Sequence, residues 1–311
     1  MNVSPICNLL IDSCCDLPVE ITQREKVSLV RFPFYFGDEE TLDDLWQSSA
    51  SEDFYERMRK GGTPTTAGAP FAEMKKMFEE AVAKGEPTVY LSFSSGLSGH
   101  FDQVLRVRDM VLAEHPEAEL HVVDTRLAST GEALIIFEAL RLHEHGMSAK
   151  ELADWATEAR NFVHVYFMVD NLESLKRGGR IPSSVAFAGA KLDVKPLLFI
   201  ATDGTLSIKG IARGRKKGLK QLADLFADKA ELTEEDMYVM IGNADCPRDA
   251  KKLEELVARD LPEKPFFVHG TIGPVIGSHV GPGMVAIAFW GPDKREELSV
   301  ANRIARKVKG E

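Results

Sequence analysis

Strand-like and helix-like stretches take turns through the first half of the chain, and that alternation leaves few folds open. "LLIDS" (Leu9–Ser13), "SLVRFPFYF" (Ser28–Phe36), "TVYLSFS" (Thr88–Ser94) and "LHVVDT" (Leu120–Thr125) are short apolar runs, which predicts strands. Between them Asp53–Lys60 and Phe71–Lys84 read as helices. Another helix begins after Gly131, where Ala133, Ile136, Phe137 and Leu140 share a face. Parallel neighbours need a crossover between them, so this rhythm predicts a parallel sheet covered by helices.

The second half has a different grammar. A helix over Ala149–Asn161 is followed by "HVYFMV" (His164–Val169). Asp203-Gly204 then sits between two apolar runs in "PLLFIATDGTLSIKG" (Pro196–Gly210), which signals a hairpin and hence antiparallel strands. At 311 residues the chain is long for a single core. The expectation is two α/β domains, 1–160 with a parallel sheet and 161–311 with a mixed or antiparallel one.

Open α/β sheets bind ligands beyond the carboxyl ends of their strands. Four polar turns fall near such places: "DSCCD" (Asp12–Asp16), "TPTTAGAP" (Thr63–Pro70), "SSGLSG" (Ser94–Gly99) and "DTRLAST" (Asp124–Thr130). All are candidates to converge on one crevice. The third leads into a helix, so its serines either cap that helix or add hydroxyls to an anion site at the helix start.

"GPVIGSHVGPG" (Gly273–Gly283) reads as a glycine- and proline-fixed loop that holds His279. If His279 meets Ser94 or Ser95, two chemistries open. One is a hydrolase triad completed by Asp12 or Asp124. Against it, Gly96-Leu97-Ser98-Gly99 is one residue short of the nucleophile-elbow pattern. The other is a set of donors, Thr65 among them, that binds a carboxylate without reacting.

Net charge is −10, which disfavours nucleic acid or an anionic membrane as a partner of the whole surface. Two basic clusters stand against that sign: Lys176, Arg177 and Arg180 in "LKRGGR", and Lys209, Arg213, Arg215, Lys216, Lys217 and Lys220 in "KGIARGRKKGLK". Either is a solvated face or a contact for phosphate or an acidic protein. There is no P-loop motif, no H-E-x-x-H and no paired C-x-x-C, so neither an ATP site of that type, nor a metal, nor another cofactor is expected. The N-terminus lacks a signal-peptide pattern and no apolar run is long enough to span a bilayer, which points to a cytoplasmic protein without membrane insertion and with reduced thiols.

From "LLIDSCCDLP" through "TPTTAGAP", "SSGLSG", "VVDTRLAST" and "LESLKRGGRI" to "GPVIGSHVGPG", the chain resembles the DegV family of bacterial fatty-acid-binding proteins. The resemblance implies two α/β domains, a long-chain fatty acid in an apolar tunnel and its carboxylate at the domain junction. It implies Thr65, Ser94, Ser95 and His279 as the carboxylate-binding group. Arg177, Arg180, Arg213 and Arg215 would face a separate fatty acid kinase, which phosphorylates the bound acid to an acyl phosphate. The protein itself would then be a carrier rather than an enzyme. A serine hydrolase of acyl esters is the alternative, and a sugar- or dihydroxyacetone-handling protein a third, on fold analogy alone. The sequence departs from the family pattern at His100, where threonine is usual, at Cys14-Cys15, and at Ala67, which stands at a glutamine position.

Overall fold

The computed structural model describes residues 4–182, 193–233, 238–259, 261, 263–296 and 308. The first half contains strands β1 (Asn8–Asp12), β2 (Val27–Val30), β3 (Pro33–Phe36), β4 (Glu39–Leu42), β5 (Thr65–Thr66), β6 (Thr88–Ser92) and β7 (Leu120–Asp124). Its helices are α1 (Val19–Thr22), α2 (Ser51–Arg59), α3 (Phe71–Ala83), α4 (His100–Glu114), α5 (Thr130–Glu144) and α6 (Ala149–Ala159). Then come β8 (Val163–Met168), α7 (Glu173–Arg177), β9 (Val194–Ile200), β10 (Leu206–Arg213), α8 (Arg215–Lys229), β11 (Tyr238–Asn243), α9 (Pro247–Ala258), β12 (Phe266–Thr271), α10 (Pro274–Val280) and β13 (Val285–Trp290).

The protein is an α/β fold. β2-β1-β6-β7 form a four-stranded sheet in which every pairing is parallel. The six-stranded sheet runs β10-β9-β8-β13-β11-β12 and is mixed, antiparallel except for β11 with β12. The change of sheet falls between β7 and β8, across α6, whose start is fixed by a reciprocal Ser148–Glu151 capping box.

Two elements depart from the expectation. "SLVRFPFYF" is two strands: β2 stays in the parallel sheet, while β3 turns away into a three-stranded sheet of order β4-β3-β5. Proline at position 33 has no N–H to give to a continued ladder, which is where the run breaks. "GPVIGSHVGPG" is not a loop throughout. It contains α10, with Pro274 in its first turn and Gly281 at φ 75° behind its end, the asymmetric placing of proline and glycine that helix ends favour.

α5 holds the two large sheets together. It packs on β1 on one side and on β8, β11 and β13 on the other. Its residues are buried almost all round, Leu134, Ile135 and Ala139 completely, and the burial extends to the carboxyls of Glu132 and Glu138. Gly131 sits so close to β8 that a Cβ there would lie 2.3 Å from Val165 Cγ2. One hydrophobic core therefore runs continuously through both sheets, and a second lies between the six-stranded sheet and α8 and α9.

Candidate functional site

The four polar turns do meet. Cys14, Thr66-Ala67-Gly68, Leu97-Ser98 and Ala128-Ser129 contribute one each to the wall of a single cavity of roughly 770 Å³ of free space, part of it open to solvent. The facing wall comes from Val165 and Phe167 of β8, Ile200, Leu206, Ile276 of α10, Met284 and Ala286 of β13. Exposure gives the cavity a direction. Ala67 is exposed and Thr66, Leu97, Ser98, Arg180 and His279 are partly so, whereas Cys14, Thr130, Phe167, Met284 and Ala286 are buried. The mouth is polar and basic, and the depth is apolar.

Pairing in the small sheet decides which threonine enters. Residues directly opposite in a ladder share a face. Thr66 is opposite the buried Phe34 and points inward, whereas Thr65 is opposite Tyr35 and is exposed. Thr66 Oγ1 lies 2.8 Å from His279 Nε2. The expected Thr65 is therefore replaced by its neighbour. A one-residue shift in reading "TPTTAG" is invisible without the β3–β5 register.

Ser94 and Ser95 are at the turn but are engaged elsewhere. The buried Ser94 hydroxyl donates to the Gly204 carbonyl at 2.9 Å and accepts from Gly96 N–H. Gly204, at φ 81°, lets the 201–205 turn press onto it: a Cβ there would lie 2.2 Å from Ser94 Oγ. Ser95 donates to Asp124 at 2.6 Å. Neither serine touches His279, so the expected serine–histidine pairing is not formed, and the two hydroxyls shape the turn. Ser98, which accepts from His100 N–H at the start of α4, is the serine of this turn that lines the cavity.

The basic residues divide. Arg180, expected on a partner-facing surface, lines the cavity mouth, with Nε donating to Leu97 O at 3.0 Å and a second bond to Gly178 O. Arg177 is exposed and bonds Ser174. Arg213 is exposed on β10. Arg215 is instead held inside an ion-pair cluster, 2.8 Å from Asp170, 2.6 Å from Asp249 and bonded to Gly283 O. Its guanidinium is committed to internal partners and is not a surface cation.

Burial, with Arg180 and Arg177 nearby, pushes the His279 imidazole down to about 4. It is neutral at physiological pH, so one ring nitrogen donates and the other accepts. An anion at the mouth is met by the fixed charge of Arg180 together with neutral donors. That arrangement suits a carboxylate and presents no strong base to it.

Behind the turns lies a set of buried acids. Asp12 accepts from Tyr90 Oη and Phe93 N–H, and Asp16 accepts from Ser129 Oγ at 2.5 Å and Gly273 N–H at 2.8 Å. These bonds tie β1, the Ser129 turn and the start of α10 together. Desolvation raises all four carboxyls, Asp12 to about 6, Asp43 to about 7, and Asp16 and Glu132 well above the ordinary range. Asp12 and Asp16 thus brace these segments. Among the described residues no group of three or more His, Cys, Asp or Glu is placed to hold a metal, and no described helix is long and apolar enough to cross a membrane. The four cysteines are free thiols. The three departures from the family pattern gather here: Cys14 and Ala67 line the cavity, and His100 is buried beside Gly68 with its Nε2 3.0 Å from Tyr90 Oη.

Comparison with known proteins sets this geometry in a family. The DegV family profile, described as that of an uncharacterised protein, matches residues 7–291. A DegV domain-containing protein of Clostridium perfringens is 34% identical over 286 residues, 92% of this chain and 98% of that one. Among solved structures, a fatty-acid-binding DegV family protein from Thermus thermophilus superposes with a TM-score of 0.78 at 27% identity, covering 94% of this chain and 100% of the other. DegV of Bacillus subtilis, a fatty acid binding protein, gives a TM-score of 0.75 at 25% identity over 93% of this chain and 100% of that one. By profile, by sequence and by fold, this chain belongs to the DegV family.

Proposed function

We propose that the protein binds a long-chain fatty acid, with the alkyl chain in the apolar cavity and the carboxylate at the mouth, and presents that carboxylate to a separate fatty acid kinase in the cytoplasm. The observation that carries the reading is the polarity gradient of one cavity: Arg180, His279, Thr66 and Ser98 at the open end, Phe167, Met284 and Ala286 at the closed end. Burying an alkyl chain contributes about 0.8 kcal/mol per CH₂, so the apolar depth supplies most of the affinity. The polar mouth then orients the carboxyl group.

His279 stays in the binding group, with Thr66 in place of Thr65. Ser94 and Ser95 support it by fixing the turn. Arg177 and Arg213, with Lys216 and Lys217, are exposed and suit an acidic face of the kinase, while Arg215 serves the fold. The hydrolase alternative is weakened because both serines have other partners and His279 is paired with Thr66.

The test is denaturing extraction of freshly purified protein, followed by mass spectrometry of the released molecules. A stoichiometric free fatty acid is expected. A protein that stays empty after incubation with mixed fatty acids overturns the reading. For the second half of the proposal, the triple variant Arg213→Glu, Lys216→Glu, Lys217→Glu is expected to bind lipid normally and to slow its phosphorylation by the kinase. Equal phosphorylation of variant and parent would remove that surface from the proposal.

A further inference from the structure

Thr130 stands between two cavities. It is one of the buried residues at the deep end of the main cavity, and it also lines a second, smaller space of roughly 190 Å³, part of it open to solvent, bounded by Asp16, Leu17, Ala133, Met240, Val268 and Gly242. The part of it that a buried group could fill is small, about the room of a single water. The partition between the two is thin. A Cβ built on Gly242 would lie 2.1 Å from Thr130 Oγ1, so Thr130 rests against bare β11 backbone and depends on glycine there. Its hydroxyl is buried and has no hydrogen-bond partner among the described residues. Such a group costs stability without stabilising a neighbour, so hydrogen bonding does not explain threonine at this place. Closing the gap does.

We propose that Thr130, seated on Gly242, is the stop that limits how long an acyl chain the cavity accepts. The inference rests on the fatty-acid reading of the cavity and adds the residue that sets chain length. An acid too long for the main cavity must either push Thr130 aside or leave its terminal methylenes unburied. Removing the side chain joins the two spaces. A methyl group on Gly242 acts in the opposite sense, because it drives Thr130 toward the ligand.

The experiment is competitive loading of the full chain with an equimolar ladder of straight-chain saturated acids, read by mass spectrometry after extraction, with thermal melting to confirm folding. Thr130→Ala is expected to shift the bound distribution by about one carbon toward longer chains, with about a fourfold gain for the one further methylene that the joined space admits. Gly242→Ala is expected to shift it toward shorter chains. If Gly242→Ala fails to fold, Thr130→Ala decides alone, since it removes no hydrogen bond. A parent that binds acids while Thr130→Ala keeps the parent's distribution overturns the stop and leaves the binding reading intact. A parent that binds no acid of any length overturns the binding reading, and the stop falls with it.

Discussion

Gly178→Ala probes the head of the site by displacing His279 without replacing it. Gly178 closes α7 with φ −75° and ψ −7°, a helical conformation that alanine adopts freely. What prevents alanine is His279. The new Cβ would lie 2.1 Å from Nδ1 and 2.9 Å from Cε1. To regain ordinary contact the imidazole must retreat by more than about 1 Å, and the 2.8 Å bond to Thr66 then passes the limit of a useful hydrogen bond. If His279 holds the carboxylate, the variant loses one charge-assisted bond to the ligand, about 1.5–3 kcal/mol, or roughly ten- to a hundredfold in Kd. Stability changes little, because replacing a helical glycine by alanine contributes up to about 1 kcal/mol against the displaced ring. The assay is calorimetric titration with a long-chain fatty acid and with its methyl ester. The acid should weaken while the ester, bound mainly through its alkyl chain, should not. An unchanged affinity for the acid, or a parallel fall for both, would refute the argument.

Thr66→Val should weaken acid binding about tenfold by removing the His279 partner, whereas Thr65→Val, on the outer face, should leave the binding isotherm unchanged. Burial raises Asp43 from 3.8 to about 7. The folded state therefore binds more protons than the unfolded chain between those values, and stability falls as pH rises through that window. Asp43→Asn should flatten the fall in Tm between about pH 4 and 7, and a slope as steep as the parent's would show that Asp43 does not titrate there. Arg215→Ala leaves Asp170 and Asp249 without their shared partner and should cost about 1–3 kcal/mol in urea unfolding. Arg213→Ala should stay within about 0.5 kcal/mol of the parent, and similar losses for the two would contradict the division between internal and surface arginines.

The sequence alone was enough for the local elements and their rhythm. Apolar periodicity marks most of the strands and helices because it records which side of each element leaves water, and Asp203-Gly204 marks the hairpin because few residues tolerate that turn. The polar turns were legible as candidates because open α/β sheets bind ligands beyond the carboxyl ends of their strands, where these hydroxyls and glycines fall. The order of motifs carried the family. The change of sheet falls between β7 and β8, and one core runs across it through α5.

Tertiary structure decided which of those polar residues face the cavity. Thr65 and Thr66 are chemically identical and adjacent, and only their register against Tyr35 and Phe34 turns one outward and the other in. Arg180, Arg213 and Arg215 share a side chain and separate into mouth, surface and interior because of Leu97 O, open solvent, and the Asp170–Asp249 pair respectively. Ser94 and Ser95 carry the hydroxyls a binding site would use, yet Gly204 and Asp124, distant in sequence, claim them first. Side-chain type is written in the chain one residue at a time. Which partner each side chain meets depends on contacts between segments far apart in sequence, and these exist only once the sheets and α5 have packed.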